Sequence, residues 1–221
     1  MKVYAGIVAG GSGSRMGADM PKQYIPVAGT PILLHTVRAF AEYADIVYVA
    51  CPENFVDFTK ELVGKFATVI PGGNTRMESI SAILNRISPE DDDIILTHDG
   101  VRPFVSERII KENIEKAQKY LACGTFIPTV DTICLSENGE VLSAVPDRTH
   151  MYNVQTPQSF NVNLLKELIS SCEDKEKFTD LCGLAVHMGK NVHMVMGEST
   201  NIKITTPADL TLAEAILKGG N

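Results

Sequence analysis

Apolar positions along this chain change their period again and again. "VYAGIVAG" (3–10) is a near-continuous apolar run that ends in glycines, the pattern of a strand buried on both faces. "TPILLHTVRAFAEY" (30–43) opens on Thr-Pro and carries apolar residues at helical spacing, which predicts a helix. The alternation then repeats. "DIVYVACP" (45–52) predicts a strand, "NFVDFTKELVGKF" (54–66) a helix and "ATVIPGG" (67–73) a short strand. "TRMESISAILNRI" (75–87) predicts a helix, and "DDIILTHDGVRPF" (92–104) a strand that runs into a polar loop. "SERIIKENIEKAQKYL" (106–121) predicts an amphipathic helix with Ser106 as its N-cap. Repeated strand–helix units predict an α/β, Rossmann-like, mostly parallel sheet with helices on both faces. Ligands of such sheets bind beyond the carboxyl ends of the strands. The loops at 9–23, 71–76 and 98–103 all follow strands, so they are expected to converge on one edge.

The middle breaks this rhythm. Residues 125–160 contain β-like runs around the turn signal "SENGE", and Pro128, Pro146 and Pro157 disfavour a helix. This predicts a projecting β-arm at about 130–156, within one domain spanning 1–221. An isolated arm is marginal in water, so a partner is expected, most simply a second copy. The α/β pattern then resumes with helices near 161–171 and 178–188, a strand at 191–197 and a last helix opened by Pro207 and Asp209. In "NIKITTP" an alternating segment places Lys203 opposite Ile202 and Ile204.

The chain has 221 residues and a net charge of −7, which argues against non-specific binding to nucleic acid or anionic membranes. No run reaches the ~20 apolar residues of a membrane span, and no secretory leader pattern opens the chain. Five cysteines without CxxC spacing read as reduced, mostly buried thiols of a cytoplasmic protein.

The glycine loop "AGGSGSRMG" admits three chemistries. A dinucleotide fingerprint needs a glycine where Met16 stands and an acid after the second strand, where Cys51 and Pro52 stand. A Walker A loop needs Gly-Lys-Ser/Thr, which is absent. What remains is either a tight turn with solvated cations or a loop whose backbone at Gly11 and Gly13 holds a triphosphate, aided by Arg15 and Lys22. In "THDGVRPF", Asp99 suits Mg²⁺ and Arg102 could grip a phosphate, or the two form a local salt bridge. His98 has no catalytic role here; at most it orients Asp99. "PGGNTRMES" places Asn74, Arg76 and Ser79 at a helix mouth, able to hold an anion or a base edge, or simply to cap the helix.

"AGGSGSRMG…PKQY", "GGNTRMESI", "HDGVRPF", "VDTI", "DRTHMYNVQTPQSF", "FTD" and "NIKITTPADL", in that order, span nearly the whole chain. By these segments it resembles the CTP-dependent cytidylyltransferases of alditol phosphates, that is, the ribitol-5-phosphate and 2-C-methyl-D-erythritol 4-phosphate enzymes. The resemblance implies CMP transfer from CTP to an alditol phosphate with release of pyrophosphate, Mg²⁺ as cofactor, and a homodimer built through the arm. It implies that Arg15, Lys22 and Lys203 are the catalytic cations and Asp99 the metal ligand. Ala9, Gly10, Gly73, Asn74 and Ser79 would hold cytidine, and Arg102, Asp131 and Thr132 the polyol phosphate. Arg148 and Thr156, on the arm, would reach the neighbouring subunit's site, while Thr179 and Asp180 close the pocket. "AGG", "VRPF" and "HMY" resemble the ribitol branch, which makes CDP-ribitol for cell-wall polymers. Methylerythritol enzymes, which serve isoprenoid synthesis, more often carry a second acid after Thr-Asp, where this chain has Leu181. The acceptor expected first is therefore ribitol 5-phosphate, with methylerythritol phosphate as the alternative. More remote are an NAD-dependent oxidoreductase and an inactive nucleotide-binding subunit.

Overall fold

A computed structural model describes residues 1–11 and 20–219. In chain order the strands are β1 (Val3–Val8), β2 (Pro26–Val27), β3 (Thr30–Pro31), β4 (Ile46–Cys51), β5 (Thr68–Pro71), β6 (Ile94–Asp99), β7 (Ala122–Pro128), β8 (Tyr152–Asn161) and β9 (His193–Met196). The helices are α1 (Ile32–Ala41), α2 (Val56–Val63), α3 (Arg76–Leu84), α4 (Glu107–Tyr120), α5 (Val162–Ser171), α6 (Leu181–His187) and α7 (Pro207–Gly219). Strands β2 and β3 form a small hairpin; the other seven form one sheet in the order β5-β4-β1-β6-β8-β7-β9. Within it β8 alone runs against its neighbours.

The two faces of the sheet explain the unbroken apolar runs. Along β1, Ala5 and Ile7 join a core with Leu33, Val37 and Phe40 of α1, Val63 of α2 and Ile109 of α4. Tyr4 points the other way, into a core with Ile80 and Ile83 of α3, Leu165 and Leu168 of α5 and Leu184 of α6. Each fully buried Ile or Leu contributes roughly 2 kcal/mol, and both faces need such residues, so the strands cannot alternate with polar positions. Helix starts follow local chemistry. Ser106 accepts a hydrogen bond from the Ile109 N–H to open α4, and Thr75 accepts from Glu78 N–H to open α3.

The structure departs from expectation at two places. The arm is shorter than 130–156, because β7 and residues 152–156 of β8 belong to the main sheet, paired from Ala122↔Phe160 to Pro128↔Tyr152. What projects is the segment 129–151, with one bridge, Leu135↔Ala144, around a turn at Ser136–Val141. Residues 201–206 form no strand. The expected alternation persists there because Ile204 N–H bonds to Val101 O at 2.9 Å and Ile204 is buried with Val27, Ile32 and Ala213. Lys203 is left on the opposite side.

Four of the five cysteines are buried and unpaired; Cys134, on the arm, is exposed. Burial pushes the Cys123 thiol up to about 12 and raises that of Cys182 as well, so these are inert packing groups. Among the described residues no helix is long and apolar enough to cross a membrane.

Candidate active site

Asp99 ends β6 at the carboxyl edge of the sheet, beside Val8 of β1. The chain turns away at once through Gly100, whose N–H bonds to Val8 O at 2.9 Å. A Cβ here would meet Val8 O and Leu33 Cδ1, each at 3.1 Å, so this close approach favours glycine. The reversed strand β8 brings Thr156 alongside. Its hydroxyl oxygen lies 3.2 Å from Asp99 N and 3.0 Å from His98 Nδ1. His98 Nε2 faces the Arg102 carbonyl at 3.1 Å. A carbonyl only accepts, so Nε2 carries the proton. Nδ1 of the neutral ring then accepts from the Thr156 hydroxyl, and the hydroxyl oxygen accepts from Asp99 N–H. Burial holds His98 neutral, lowering its pKa to about 4. Thus His98 fixes the Asp99 backbone through Thr156 and never touches the carboxylate.

Three cations surround the Asp99 carboxylate: Lys203 Nζ at 2.9 Å, Arg76 Nε at 3.4 Å and Arg102 Nε at 3.6 Å. Burial alone would raise the pKa of Asp99, but Arg76, Lys203 and Arg102 together hold it well below the usual carboxylate range. The cluster carries a surplus of positive charge, which suits a triphosphate and a phosphate monoester despite the net negative protein. Arg102 is tied further by Nη1–H to Asn201 O at 2.7 Å. Fully buried Asn201 donates through Nδ2 to Gln155 Oε1 (3.1 Å) and Thr156 O (2.9 Å). The same residue therefore braces both Arg102 and the turn that leads to Lys203. On the other side of Lys203, Asp209 accepts from Thr205 N–H (2.7 Å) and Thr206 N–H (2.8 Å), which fixes the start of α7.

Lys22 opens a short 3₁₀ turn, Lys22–Tyr24, and its two neighbours anchor it. The Gln23 side chain donates to Ala9 O at 2.6 Å, at the end of β1. Tyr24 stacks on Phe55 with ring centroids 5.2 Å apart, and its hydroxyl lies 2.8 Å from Thr59 Oγ1. Opposite, Glu78 accepts from Asn74 N–H (2.6 Å) and Ser79 Oγ from Gly73 N–H (3.1 Å), so this glycine turn is held rigid by its own helix.

These groups line two adjoining cavities. The larger, about 600 Å³, is lined by Ala9, Gly10, Gly11, Lys22, Gly73, Asn74, Ser79, Asp99 and Lys203. Gly11 sits at φ 142°, a conformation side chains rarely adopt. The smaller, about 280 Å³, is lined by Arg102, Thr156, Thr179 and Asp180. Arg76, Asp99 and Lys203 line both. The convergence of three distant loops is thus as expected, and Arg76, named from the sequence only as one of three residues at a helix mouth, lines both cavities. Its position just past "GGNT" was the available signal. Arg15 and Gly13 lie outside the described residues.

Several expected site residues are placed differently. Thr156 lines the smaller cavity from β8, inside the main sheet rather than on the arm, and is 5% exposed. Asp131, Thr132 and Arg148 lie on the exposed arm and line neither cavity; Arg148 Nη1 donates to Val130 O at 3.3 Å. Asp180 lines the smaller cavity but also caps α6, accepting from Gly183 N–H at 2.9 Å. A second carboxylate group, Glu90, Asp92 and Asp93, lies before β6 at the far end from Asp99. Asp93 there accepts from Lys2 N–H and Glu90 N–H, a structural use.

The family model described as IspD, 2-C-methyl-D-erythritol 4-phosphate cytidylyltransferase, matches residues 3–219. The chain belongs to that family. It is a CTP-dependent cytidylyltransferase, a nucleotidyltransferase enzyme. Its fold is similar to the 2-C-methyl-D-erythritol 4-phosphate cytidylyltransferase of Thermus thermophilus, with 35% identity, TM-score 0.83, and 99% of this chain and 100% of that one covered. It is also similar to the 4-diphosphocytidyl-2C-methyl-D-erythritol synthase of Anaerococcus prevotii, at 30% identity, TM-score 0.86 and 98% coverage of both chains. The Francisella tularensis enzyme of the same family gives 28% identity and TM-score 0.84, with 97% of this chain and 99% of that one covered.

Within this cytidylyltransferase family, the features that pointed to the ribitol branch lose their weight. Leu181 is fully buried in the core with Leu184 and lines neither cavity, so an apolar residue there does not describe the acceptor pocket. Val101 packs on Ile204 and lines only the larger cavity. The "AGG" residues line that larger cavity as well, and His150 sits exposed on the arm.

Proposed function

We propose that this cytidylyltransferase uses 2-C-methyl-D-erythritol 4-phosphate as its acceptor, in place of the ribitol 5-phosphate expected first. The observation that carries this reading is the family match over residues 3–219, with relatives of that name at 35% and 30% identity. An oxygen of the acceptor's phosphate attacks the α-phosphorus of CTP. The bond from that phosphorus to the bridging oxygen breaks, and pyrophosphate leaves with the electron pair. The work of the protein is to position the two substrates and offset their charge.

The larger cavity takes CTP. Ala9, Gly10, Gly73, Asn74 and Ser79 face the cytidine, while Gly11 and Lys22 face the triphosphate; for Gly13 and Arg15, outside the described residues, the triphosphate role rests on the resemblance alone. The smaller cavity takes the acceptor, with Arg102 on its phosphate and Thr156, Thr179 and Asp180 on its hydroxyl groups. Lys203 stands between the two phosphates. Asp99 is the one acidic side chain lining the larger cavity among the described residues, and it is held ionised. A single carboxylate completed by phosphate oxygens is a usual Mg²⁺ site, so Asp99 fits the metal. When bound, the ion neutralises phosphate charge.

The arm is read as the homodimer element. Val130, Leu135, Val141, Leu142 and Val145 are all more than half exposed, an apolar surface that a second copy would cover. Arg148 and the neighbouring Asp131 and Thr132 then serve the other subunit's acceptor cavity. Four buried free thiols suit a cytoplasmic location.

The test is a panel of methylerythritol 4-phosphate, ribitol 5-phosphate and glycerol 3-phosphate, each with CTP and Mg²⁺, following pyrophosphate release. Release with methylerythritol phosphate alone is expected; no release with any of the three rules out the reading.

A further inference from the structure

The two cavities are separated by three side chains that line both: Arg76, Asp99 and Lys203. Asp99 is an anion, so Arg76 and Lys203 are the cations placed to meet both substrates at once. Lys203 has a role already; Arg76 does not. Its Nε is occupied by Asp99 Oδ1 at 3.4 Å, yet its Nη2 is buried without a hydrogen-bond partner among the described residues. An unmet buried donor on a charged group is costly, and it is sustained here on a residue that lines both cavities. The Arg76 backbone is also fixed. It is the first residue of α3, clamped by the Thr75 cap at 3.0 Å and by the Glu78 carboxylate on Asn74 N–H at 2.6 Å.

We propose that Arg76 is a catalytic residue whose guanidinium, held at Nε by Asp99, donates from its unpartnered Nη2 to the α-phosphate oxygens as the acceptor phosphate attacks. One nitrogen of the fork holds Asp99 and the other holds the reacting group, a division that the planar guanidinium permits. The α-phosphorus is the one centre both substrates share during transfer, and Arg76 is at the boundary where that centre must lie. Arg76 gains and loses no proton. It offsets charge while the new P–O bond forms and the bond to pyrophosphate breaks. This inference rests on the assignment of the two cavities to CTP and an alditol phosphate.

The experiment compares wild type, R76A and R76K by steady-state kinetics with CTP and acceptor varied separately, alongside thermal melting. R76A is expected to lose kcat by about 100-fold, with the KM for either substrate changed far less. R76K keeps the charge beside Asp99 but not the fork, and is expected to recover only a small part of the rate. Millimolar guanidinium ion is expected to restore R76A several-fold and to leave wild type unchanged, a response that a purely structural arginine does not give. If R76A melts early, R76K alone carries the comparison. A variant of either kind with kcat within about threefold of wild type overturns the inference. So does full recovery in R76K with no guanidinium response in R76A, since charge toward Asp99 would then suffice. A wild-type enzyme that turns over no alditol phosphate removes the cavity assignment, and the inference falls with it.

Discussion

Lys203 Nζ lies 2.9 Å from Asp99 Oδ2, joining the turn before α7 to the end of β6 across the mouth of both cavities. The lysine is brought there by its neighbours: buried Ile204 pins the segment to Val101, and Asn201 pins its start to Arg102 and Thr156. The Lys203 side chain is 45% exposed, so its charge works toward solvent and ligand more than toward the core. For K203A, kcat is expected to fall about 100-fold. Stability should change by less than about 1 kcal/mol, because a half-exposed ion pair is well screened. Kinetics and a thermal melt on the same preparation check both.

Asp99 should matter in the opposite proportion. D99N leaves Arg76 and Arg102 facing each other without their counter-charge, and a loss on the order of 3 kcal/mol is expected. The folded pKa of Asp99 is depressed, so its stabilisation is present above the unfolded carboxylate value of about 4 and is lost as pH falls below it. The gap in melting temperature between wild type and D99N should therefore be wide at pH 6 and narrow progressively in acid. A gap that is constant with pH would separate Asp99 from this linkage.

His98 acts in a higher window. Its folded pKa is lowered to about 4 by burial, while the unfolded ring titrates near 6.5. As pH falls between these values the unfolded chain takes a proton that the folded chain refuses, and stability drops by up to about 3 kcal/mol. Urea denaturation at pH 7, 6 and 5 should show this slope in wild type and a flatter one in H98Q.

Gln23 bonds to Ala9 O and so holds the turn that carries Lys22. Q23A removes no charge, yet if Lys22 has the proposed role kcat is expected to fall about 10-fold, because a small misplacement of such a cation is costly. An unchanged kcat would show that Tyr24 alone is enough to hold Lys22.

R148A tests the arm. Arg148 lines neither cavity of its own chain, so a rise in acceptor KM with an unchanged CTP KM would mean that it acts across a dimer. Equal kinetics in R148A and wild type would leave the arm without a part in binding.

Much of this was legible in the sequence. The doubly covered strands followed from unbroken apolar runs, and the site followed from one topological rule, that loops after parallel strands meet at one edge. Lys22, Asp99 and Arg102 lie on loops singled out that way, whereas Lys203 took its role only from the family resemblance. The misplacement of Thr156 has a physical cause: β8 is reversed, and its start pairs with β7 in a register that no local pattern encodes. Arg76 was read only as part of a helix mouth, because its contact with Asp99 is made only by the fold. Leu181 misled because a position beside the Thr-Asp pair need not face the pocket, and here it faces the core.

The most direct measurement is a competition. Limiting CTP is offered to the wild-type enzyme with Mg²⁺ and equal methylerythritol 4-phosphate and ribitol 5-phosphate, and the products are resolved by mass. The expected result is the cytidine diphosphate of methylerythritol as the dominant product, with stoichiometric pyrophosphate. Accumulation of CDP-ribitol in its place would contradict the central claim.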